Sequence, residues 1–344
     1  SIASGGNYNT VVGDEAGTNL TTGDKNTAVG YQSLYANNTG TSNTGVGKAS
    51  LKANTTGVQN TALGYEVLQA NIESHNNVGV GFSALYSNTS GANNVATGHR
   101  ALYSNTTASN NVAYGYDALY ANITGTQNVA VGSLAGDALT TGSNNVAFGH
   151  AALGADTEGS SSVAIGAFAL DSQNTSGNTY NVAIGRDAGG AVTTGIQNTL
   201  IGGLAGDALT DADYNVALGY SALSTNVLGS RSTAIGNNAL LTQNPASAAD
   251  MYNVGVGHNA GRAITTGIQN TLIGGLAGDA ITDADFNVAV GYEALTNNVL
   301  GSRSTALGRS ALNAQNPASA TDMYNVAVGF NAGTAVTTGV NNTL

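Results

Sequence analysis

The pattern of hydrophobic and polar positions repeats along the chain, in most places every 17 residues. Each repeat holds a short alternating segment, Asn-[Thr/Val]-[Ala/Gly]-[aliphatic]-Gly, followed by a stretch rich in Asn, Thr and Gly. We call the last residue of the segment the coil glycine and number positions from it. Such self-similarity predicts stacked structural units rather than separate globular domains. The coil glycines are Gly13, Gly30, Gly47, Gly64, Gly81, Gly98, Gly115, Gly132, Gly149, Gly166, Gly185, Gly202, Gly219, Gly236, Gly257, Gly274, Gly291, Gly308 and Gly329.

The alternating segment predicts a β-strand with two unequal faces. Positions −3 and −1 carry Thr, Val, Ile or Leu in most repeats, whereas position −2 is nearly always Ala or Gly. A period of two places these sets on opposite faces of a strand. The small face implies the close approach of another backbone layer. If the chain is a trimer, we expect many of these small faces at the interfaces between chains.

The residues after the coil glycine follow a different pattern. Position +2 varies freely, while position +3 is usually Ala and position +4 is Leu or Gly. A simple strand would place +2 and +4 on one face, so the segment predicts a bent strand or one helical turn with +4 buried. The repeat then closes with sequences such as Asn-Thr-Thr-Gly, which are typical of turns.

The repeat predicts an all-β fold: an elongated parallel β-solenoid or β-roll of about 19 coils. At ~4.8 Å for each coil, the stack would be on the order of 90 Å long. We expect one repeat domain over residues 1–344, cut from a longer protein, with regular coils in 1–166 and longer loops in 167–344. One interval is 19 residues and two are 21, and residues 193–208 reappear unchanged 72 positions later.

Composition narrows the class of protein. Only 8% of the 344 residues are charged, and the net charge is −11. Asn, Thr, Ser and Gln must therefore supply the polar surface, which suits hydrogen-bonded ladders in stacked β-structure. We expect no nucleic-acid binding, because clustered basic charge is missing. No apolar run approaches the length of a membrane span, so we expect no membrane insertion. The absence of Cys excludes disulfides.

The wording of the coils, "NTAVGYQSLYANNTG" followed by "NTGVGKASLKANTTG", closely resembles the repeats of bacteriophage tail-fibre proteins, particularly those with a C-terminal self-cleaving intramolecular chaperone. A weaker similarity runs to the heads of trimeric autotransporter adhesins, whose shorter coils carry an NSVAIG-like strand; "SSVAIG" (161–166) and "YNVAIG" (180–185) come close to it. Both resemblances imply a parallel homotrimer that acts outside the cell.

Two kinds of position are candidate contacts with a receptor. Aromatic residues recur at +1 and +5, and their rings could stack on sugars, although packing between coils or chains is the alternative. The lengthened loops, Gln243 to Tyr252 and Gln315 to Tyr324, could carry binding residues or be tolerated insertions. The candidate contacts are Tyr31, Tyr35, Tyr65, Tyr86, Tyr103, Tyr116, Tyr120, Pro245 and Pro317.

Acidic and amide side chains suggest further roles. Two copies of "DA-[Leu/Ile]-TDAD" hold closely spaced carboxylates that could bind Ca²⁺, although Asp is also common in turns; these are Asp207, Asp211 and Asp213, and Asp279, Asp283 and Asp285. Asparagines at −4 predict a structural ladder, represented by Asn26, Asn43, Asn60, Asn77, Asn94, Asn111, Asn128 and Asn145. The Asn-x-Ser/Thr sequons at +7 are better explained as a second ladder than as glycan acceptors.

No catalytic triad, phosphate-binding loop or paired-carboxylate motif stands out, so we expect no enzyme and no cofactor beyond the possible Ca²⁺. The expected function is a phage tail fibre located on the virion, with itself, other tail proteins and a host surface glycan or protein receptor as partners. The alternatives are a bacterial extracellular adhesin or surface filament subunit, and a polysaccharide-degrading spike.

Overall fold

The computed structural model describes residues 6–344 and confirms the predicted fold class. The described chain is all-β, a parallel β-solenoid of about 19 coils with a period near 17 residues. It contains no helix, and therefore none that could cross a membrane. The chain divides into two compact units, one formed by residues up to 167 with 174–178, the other by 168–173 with 179–344.

In the first unit, each coil contributes one three-residue strand that pairs in parallel with the strand of the next coil. Neighbouring strands pair in register, so that equivalent residues of successive coils lie opposite one another, as Thr10 and Thr27 do. The long coil adds a second, two-stranded pairing between β10 and β12. The strands are β1 (Thr10–Val12), β2 (Thr27–Val29), β3 (Thr44–Val46), β4 (Thr61–Leu63), β5 (Val78–Val80), β6 (Val95–Thr97), β7 (Val112–Tyr114), β8 (Val129–Val131), β9 (Val146–Phe148), β10 (Gly159–Ser160), β11 (Val163–Ile165) and β12 (Gly177–Asn178).

The second unit repeats this arrangement with nine three-residue strands. Its two 21-residue coils return to pair with the preceding coil, β16 with β18 and β22 with β24. The strands are β13 (Val182–Ile184), β14 (Thr199–Ile201), β15 (Val216–Leu218), β16 (Gly229–Ser230), β17 (Thr233–Ile235), β18 (Ala249–Asp250), β19 (Val254–Val256), β20 (Thr271–Ile273), β21 (Val288–Val290), β22 (Gly301–Ser302), β23 (Thr305–Leu307), β24 (Thr321–Asp322) and β25 (Val326–Val328).

The small face of each strand points into its own coil. Position −2 residues such as Ala62 and Ala96 are fully buried. They face positions +3 and +4 across a thin interior, where a Cβ added at Gly79 would lie 2.4 Å from Val67 Cγ1. The predicted close backbone layer is therefore the opposite wall of the same chain. The expectation that the small faces lie between chains is wrong, because nearly all of these residues are already buried within the single chain.

The segment after the coil glycine is neither a bent strand nor a helical turn, and this corrects the sequence-based expectation. Positions +2 and +4 adopt the left-handed conformation even when they are not glycine, as in Gln32 (φ 55°) and Leu34 (φ 50°). The chain thus turns sharply twice within four residues, which drives the +4 side chain inward. Position +4 is buried as predicted, and Leu34 is 1% exposed.

Two rows of buried asparagines run along the first unit. At −4, the backbone amide of Asn43 donates to Oδ1 of Asn26 at 2.9 Å, and Nδ2 of Asn26 donates to the Gly40 carbonyl at 2.9 Å. The same pattern links Asn60, Asn77, Asn94, Asn111, Asn128 and Asn145 in turn. At +7, side-chain amides bond to one another, for example Asn54 Nδ2 to Asn37 Oδ1 at 2.6 Å. These bonds satisfy polar groups that would otherwise be costly to bury.

The side chains at +4 and +7 of a coil compensate for each other in size. Every coil with Leu at +4 has Asn, Asp or Gln at +7, and every coil with Gly at +4 has Leu, Ile or Val at +7. In the Gly coils the +7 side chain folds back toward the vacated space, since a Cβ at Gly206 would lie 2.7 Å from Leu209 Cδ1. The core volume of a coil is thereby kept while the aliphatic group changes position.

Candidate functional surfaces

The most extensive candidate surface is the outward face of the strands. We define the outer strand face as positions −3 and −1 of every coil. All of these residues are Val, Thr, Ile, Leu, Tyr or Phe, and none is charged. Several are well exposed, including Leu63, Phe148 and Val328 at 48%, 53% and 58%. Exposed sheet faces are normally polar, so a face whose only polar side-chain groups are the hydroxyls of Thr and Tyr needs a physical explanation.

The size of the outer strand face points to an interaction. Ten strands of the first unit, stacked at ~4.8 Å, give an apolar strip of roughly 400–500 Å². The largest apolar patch on a typical soluble monomer covers about 300–600 Å² and is often functional, so this strip has the size of an interaction site. The face is regular and carries no charge that would restrict its partner.

The tyrosine columns form stacked ladders. At +1, Tyr65, Phe82, His99 and Tyr116 stack in sequence with ring centroids 5.0–5.2 Å apart. At +5, Tyr86, Tyr103 and Tyr120 stack at 5.0 and 5.4 Å. Because the rings cover one another, their faces are largely occupied within the protein. This arrangement favours packing over sugar stacking for five of the predicted contact residues, namely Tyr65, Tyr86, Tyr103, Tyr116 and Tyr120.

Charged groups lie between the two ladders. Arg100 Nε donates to Asp117 Oδ1 at 3.0 Å, and its guanidinium lies 4.8 Å from the centroid of the Tyr120 ring. The hydrogen bond to Asp117 raises the pKa of Arg100. Burial raises the pKa of the Tyr86 hydroxyl, and the nearby carboxylate of Glu66 raises it further. The pair of Arg100 and Asp117 links two consecutive coils.

The other four predicted contacts lie in different surroundings. Tyr31 is exposed between Asp14 and Lys48 of the adjoining coils, and Tyr35 lies at the end of an open groove. Pro245 and Pro317 are buried, which leaves no exposed proline ring to contact a receptor. Their role as contacts stays a prediction, and the single chain does not present either ring at its surface.

The lengthened loops are fastened by matched ion pairs. Arg231 Nε lies 3.0 Å from Asp250 Oδ1 in an ion pair, and its guanidinium lies 4.5 Å from the Tyr214 ring centroid. The second copy places Arg303 3.0 Å from Asp322 and 4.6 Å from the Phe286 ring centroid. These surface pairs are worth little energy individually. The two copies make equivalent contacts.

The aspartates nominated for Ca²⁺ do not come together. Asp207 and Asp279 lie at +5, Asp211 and Asp283 at +9, and Asp213 and Asp285 at +11. The last pair caps the neighbouring coil, with Oδ1 accepting from the backbone amides of Ile196 and Ile268 at 2.8 Å. No group of three acidic, His or Cys side chains able to hold a metal occurs within residues 6–344. The spacing in sequence misled because the coil turns between these positions.

No protein-family model matches this sequence, and no curated protein is significantly similar to it.

Sequence reasoning missed the outer strand face as a surface. The alternation showed two faces of different size, but an apolar face is ordinarily buried, and only the thin coil interior reveals that the smaller face is the inner one. The signal available was the uniform absence of charge at −3 and −1. Lys52 and Gln69 were also missed, because at +5 they interrupt the more conspicuous column of tyrosines.

Proposed function

We propose that this chain is the repeat shaft of a bacteriophage tail fibre and mediates attachment to the host cell surface. The observation that carries the proposal is the outer strand face, an uncharged and mainly apolar strip repeated in coil after coil. A fibre assembled from parallel copies would bury such a strip along its whole length. The resemblance of the coils to tail-fibre repeats supports the same assignment.

The assembly we propose is a parallel homotrimer. Equivalent strips on three copies can meet at a common axis without leaving one uncovered, and a trimer is the state that both resemblances imply. Three copies also multiply weak contacts with a receptor, because binding by the second and third sites becomes intramolecular. The shaft would thus contribute reach, stiffness and avidity, while other tail proteins anchor it to the particle.

The proposal is tested by locating the protein. Antibodies raised against residues 6–344 are applied to virions and to cells from the culture that carries the gene, and both are imaged by electron microscopy. Label on fibres of the virion tail supports the proposal. Label on the bacterial envelope in the absence of virions overturns it in favour of a surface adhesin, the alternative suggested by the NSVAIG-like strands.

A further inference from the structure

The first unit carries an open groove that none of the assigned features uses. It is lined by Tyr35, Ala36, Lys52, Ala53, Gln69 and Ala70 and has a volume of about 370 Å³. This volume lies within the usual range of ligand pockets, near its lower end. The residues lie at +5 and +6 of three consecutive coils, away from the outer strand face.

The groove offers an unoccupied aromatic ring. Among the described residues no ring stacks on Tyr35, since Thr18 and Lys52 hold the +5 position in the adjoining coils. Tyr86, Tyr103 and Tyr120 occupy the same position farther along and cover one another. Tyr35 therefore keeps a ring face that could lie against a flat apolar surface of a ligand.

The polar groups of the groove are also available. Within residues 6–344 no carboxylate lies within 4.0 Å of the Lys52 amine, although the protein has a net charge of −11. The side-chain amide of Gln69 makes no hydrogen bond in the same part of the chain. All three lysines of the protein lie between residues 25 and 52, and no acidic residue lies between Asp24 and Glu66, so this segment is locally basic and attracts an anion.

The backbone of the groove is closed to peptide pairing. The amides of Ala36, Ala53 and Ala70 donate to the carbonyls of Lys52, Gln69 and Tyr86 of the next coil at 3.0 Å. A peptide that binds by strand addition needs free backbone donors and acceptors. Recognition here must rely on the ring, the amine and the amide, a set that matches the apolar face, carboxylate and hydroxyls of a sugar acid.

We propose that this groove binds an acidic oligosaccharide, with one pyranose ring against Tyr35, its carboxylate on Lys52 and hydroxyls on Gln69. The alanines form a floor that leaves room for the sugar chain. The inference deepens the proposed attachment function, and rests on it for the biological source of the sugar. It involves no bond-making step, only recognition.

The test uses the whole chain in its native assembly and titration calorimetry with a hexuronic acid trisaccharide and its carboxyl-reduced counterpart. Lys52→Gln places a residue that the +5 position already accepts at Gln69. We expect it to weaken binding of the acidic trisaccharide about fivefold to tenfold and to leave the neutral one unchanged. Tyr35→Thr, which copies Thr18, should weaken both sugars.

Two further variants complete the experiment. Ala53→Asn, which copies Asn19 at +6, should abolish binding by filling the floor. Lys25→Gln removes the same charge outside the groove, at a position where Gln59 and Gln127 occur naturally, and should have no effect. The proposal is overturned if the acidic and neutral sugars bind alike, if Lys25→Gln acts like Lys52→Gln, or if an acidic tripeptide binds equally well. A negative result here leaves the location of the protein on virions unaffected, so the two proposals fail separately.

Discussion

Leu139 occupies the space that a larger residue at Gly136 would take, since a Cβ added at Gly136 would lie 3.3 Å from Leu139 Cδ1. The two residues are positions +4 and +7 of one coil. In the preceding coil the same positions hold Leu119 and Asn122. From that coil to the next, the leucine changes from +4 to +7, and no side-chain amide remains at +7. As a result, Oδ1 of Asn122 is buried without a hydrogen bond.

This relationship predicts strong energetic coupling between Gly136 and Leu139. Gly136→Leu alone should overpack the coil by about 1–3 kcal/mol, and Leu139→Asn alone should cost about 2–5 kcal/mol through a cavity and a buried amide. The double variant should recover most of this loss, because it recreates the Leu–Asn arrangement and gives Asn122 a partner. Denaturant unfolding of all four proteins measures the coupling as a double-mutant cycle.

The control for the cycle combines Gly136→Leu with Leu209→Asn, the equivalent change in a coil of the second unit. Distant substitutions should be additive within about 0.5 kcal/mol. If the losses of unfolding free energy for Gly136→Leu and Leu139→Asn are also additive, positions +4 and +7 are not energetically coupled.

A second prediction concerns the coil glycines. Gly64 and Gly329 have nearly the same backbone conformation, φ 133° and 137°, but different surroundings. A Cβ at Gly64 would lie 1.9 Å from the Gly81 carbonyl oxygen, whereas at Gly329 the nearest atom is 3.9 Å away. Gly64→Ala should therefore destabilise the protein by about 3 kcal/mol or more, and Gly329→Ala by about 1 kcal/mol.

The comparison separates the cost of a clash with the next coil from the cost of backbone strain, because both variants place Ala at nearly the same unfavourable φ. Thermal and denaturant unfolding measure the difference. Equal losses would show that conformation, and not the close approach of successive coils, selects glycine here.

The repeat period, the parallel stacking and the burial of +4 could be predicted from sequence, since strand alternation and fixed spacing are local signals. The left-handed backbone at Gln32 and Leu34 could not, because neither residue type favours it and only the stacked neighbours impose it. The direction of the small face also depended on the opposite wall, as Val67 against Gly79 shows. The tyrosine columns were visible in sequence, but whether their ring faces are free depends on distances between coils.

A third prediction follows from Asp279. Burial raises the pKa of this carboxyl above its ordinary value, more than the nearby Arg262 lowers it. Between its unfolded and folded pKa values the folded state binds more protons, so stability falls as pH rises through that window. The penalty is fully present above the folded pKa and disappears below the unfolded value.

Asp279→Asn should therefore stabilise the protein slightly at pH 7. It should have less effect at pH 3, where the Asp279 carboxyl is mostly protonated and, like the amide of Asn, carries no charge. Urea unfolding at several pH values checks this. Asp283→Asn, which removes the same charge at an exposed position, is the matched control. A pH-independent difference for Asp279→Asn would contradict the role of burial.

A fourth prediction concerns assembly through the outer strand face. Tyr114→Lys with Phe148→Lys places charges on two exposed positions, 60% and 53% accessible in the single chain. Both side chains point outward, so the coil should fold normally. Three strips that carry these lysines should not pack together, because the ammonium groups would lose their water without gaining a partner. We expect the assembly to dissociate into single chains with unchanged circular dichroism. Gln127→Lys, which copies Lys25 at the same coil position, should leave the assembly intact.

The most direct test of the account is the absolute mass of the unmodified protein by light scattering during size-exclusion chromatography. We predict three times the chain mass of 34.0 kDa, at concentrations down to the micromolar range. A single-chain mass would contradict the account, because the outer strand face would then be exposed to water and could not be the contact that assembles a fibre.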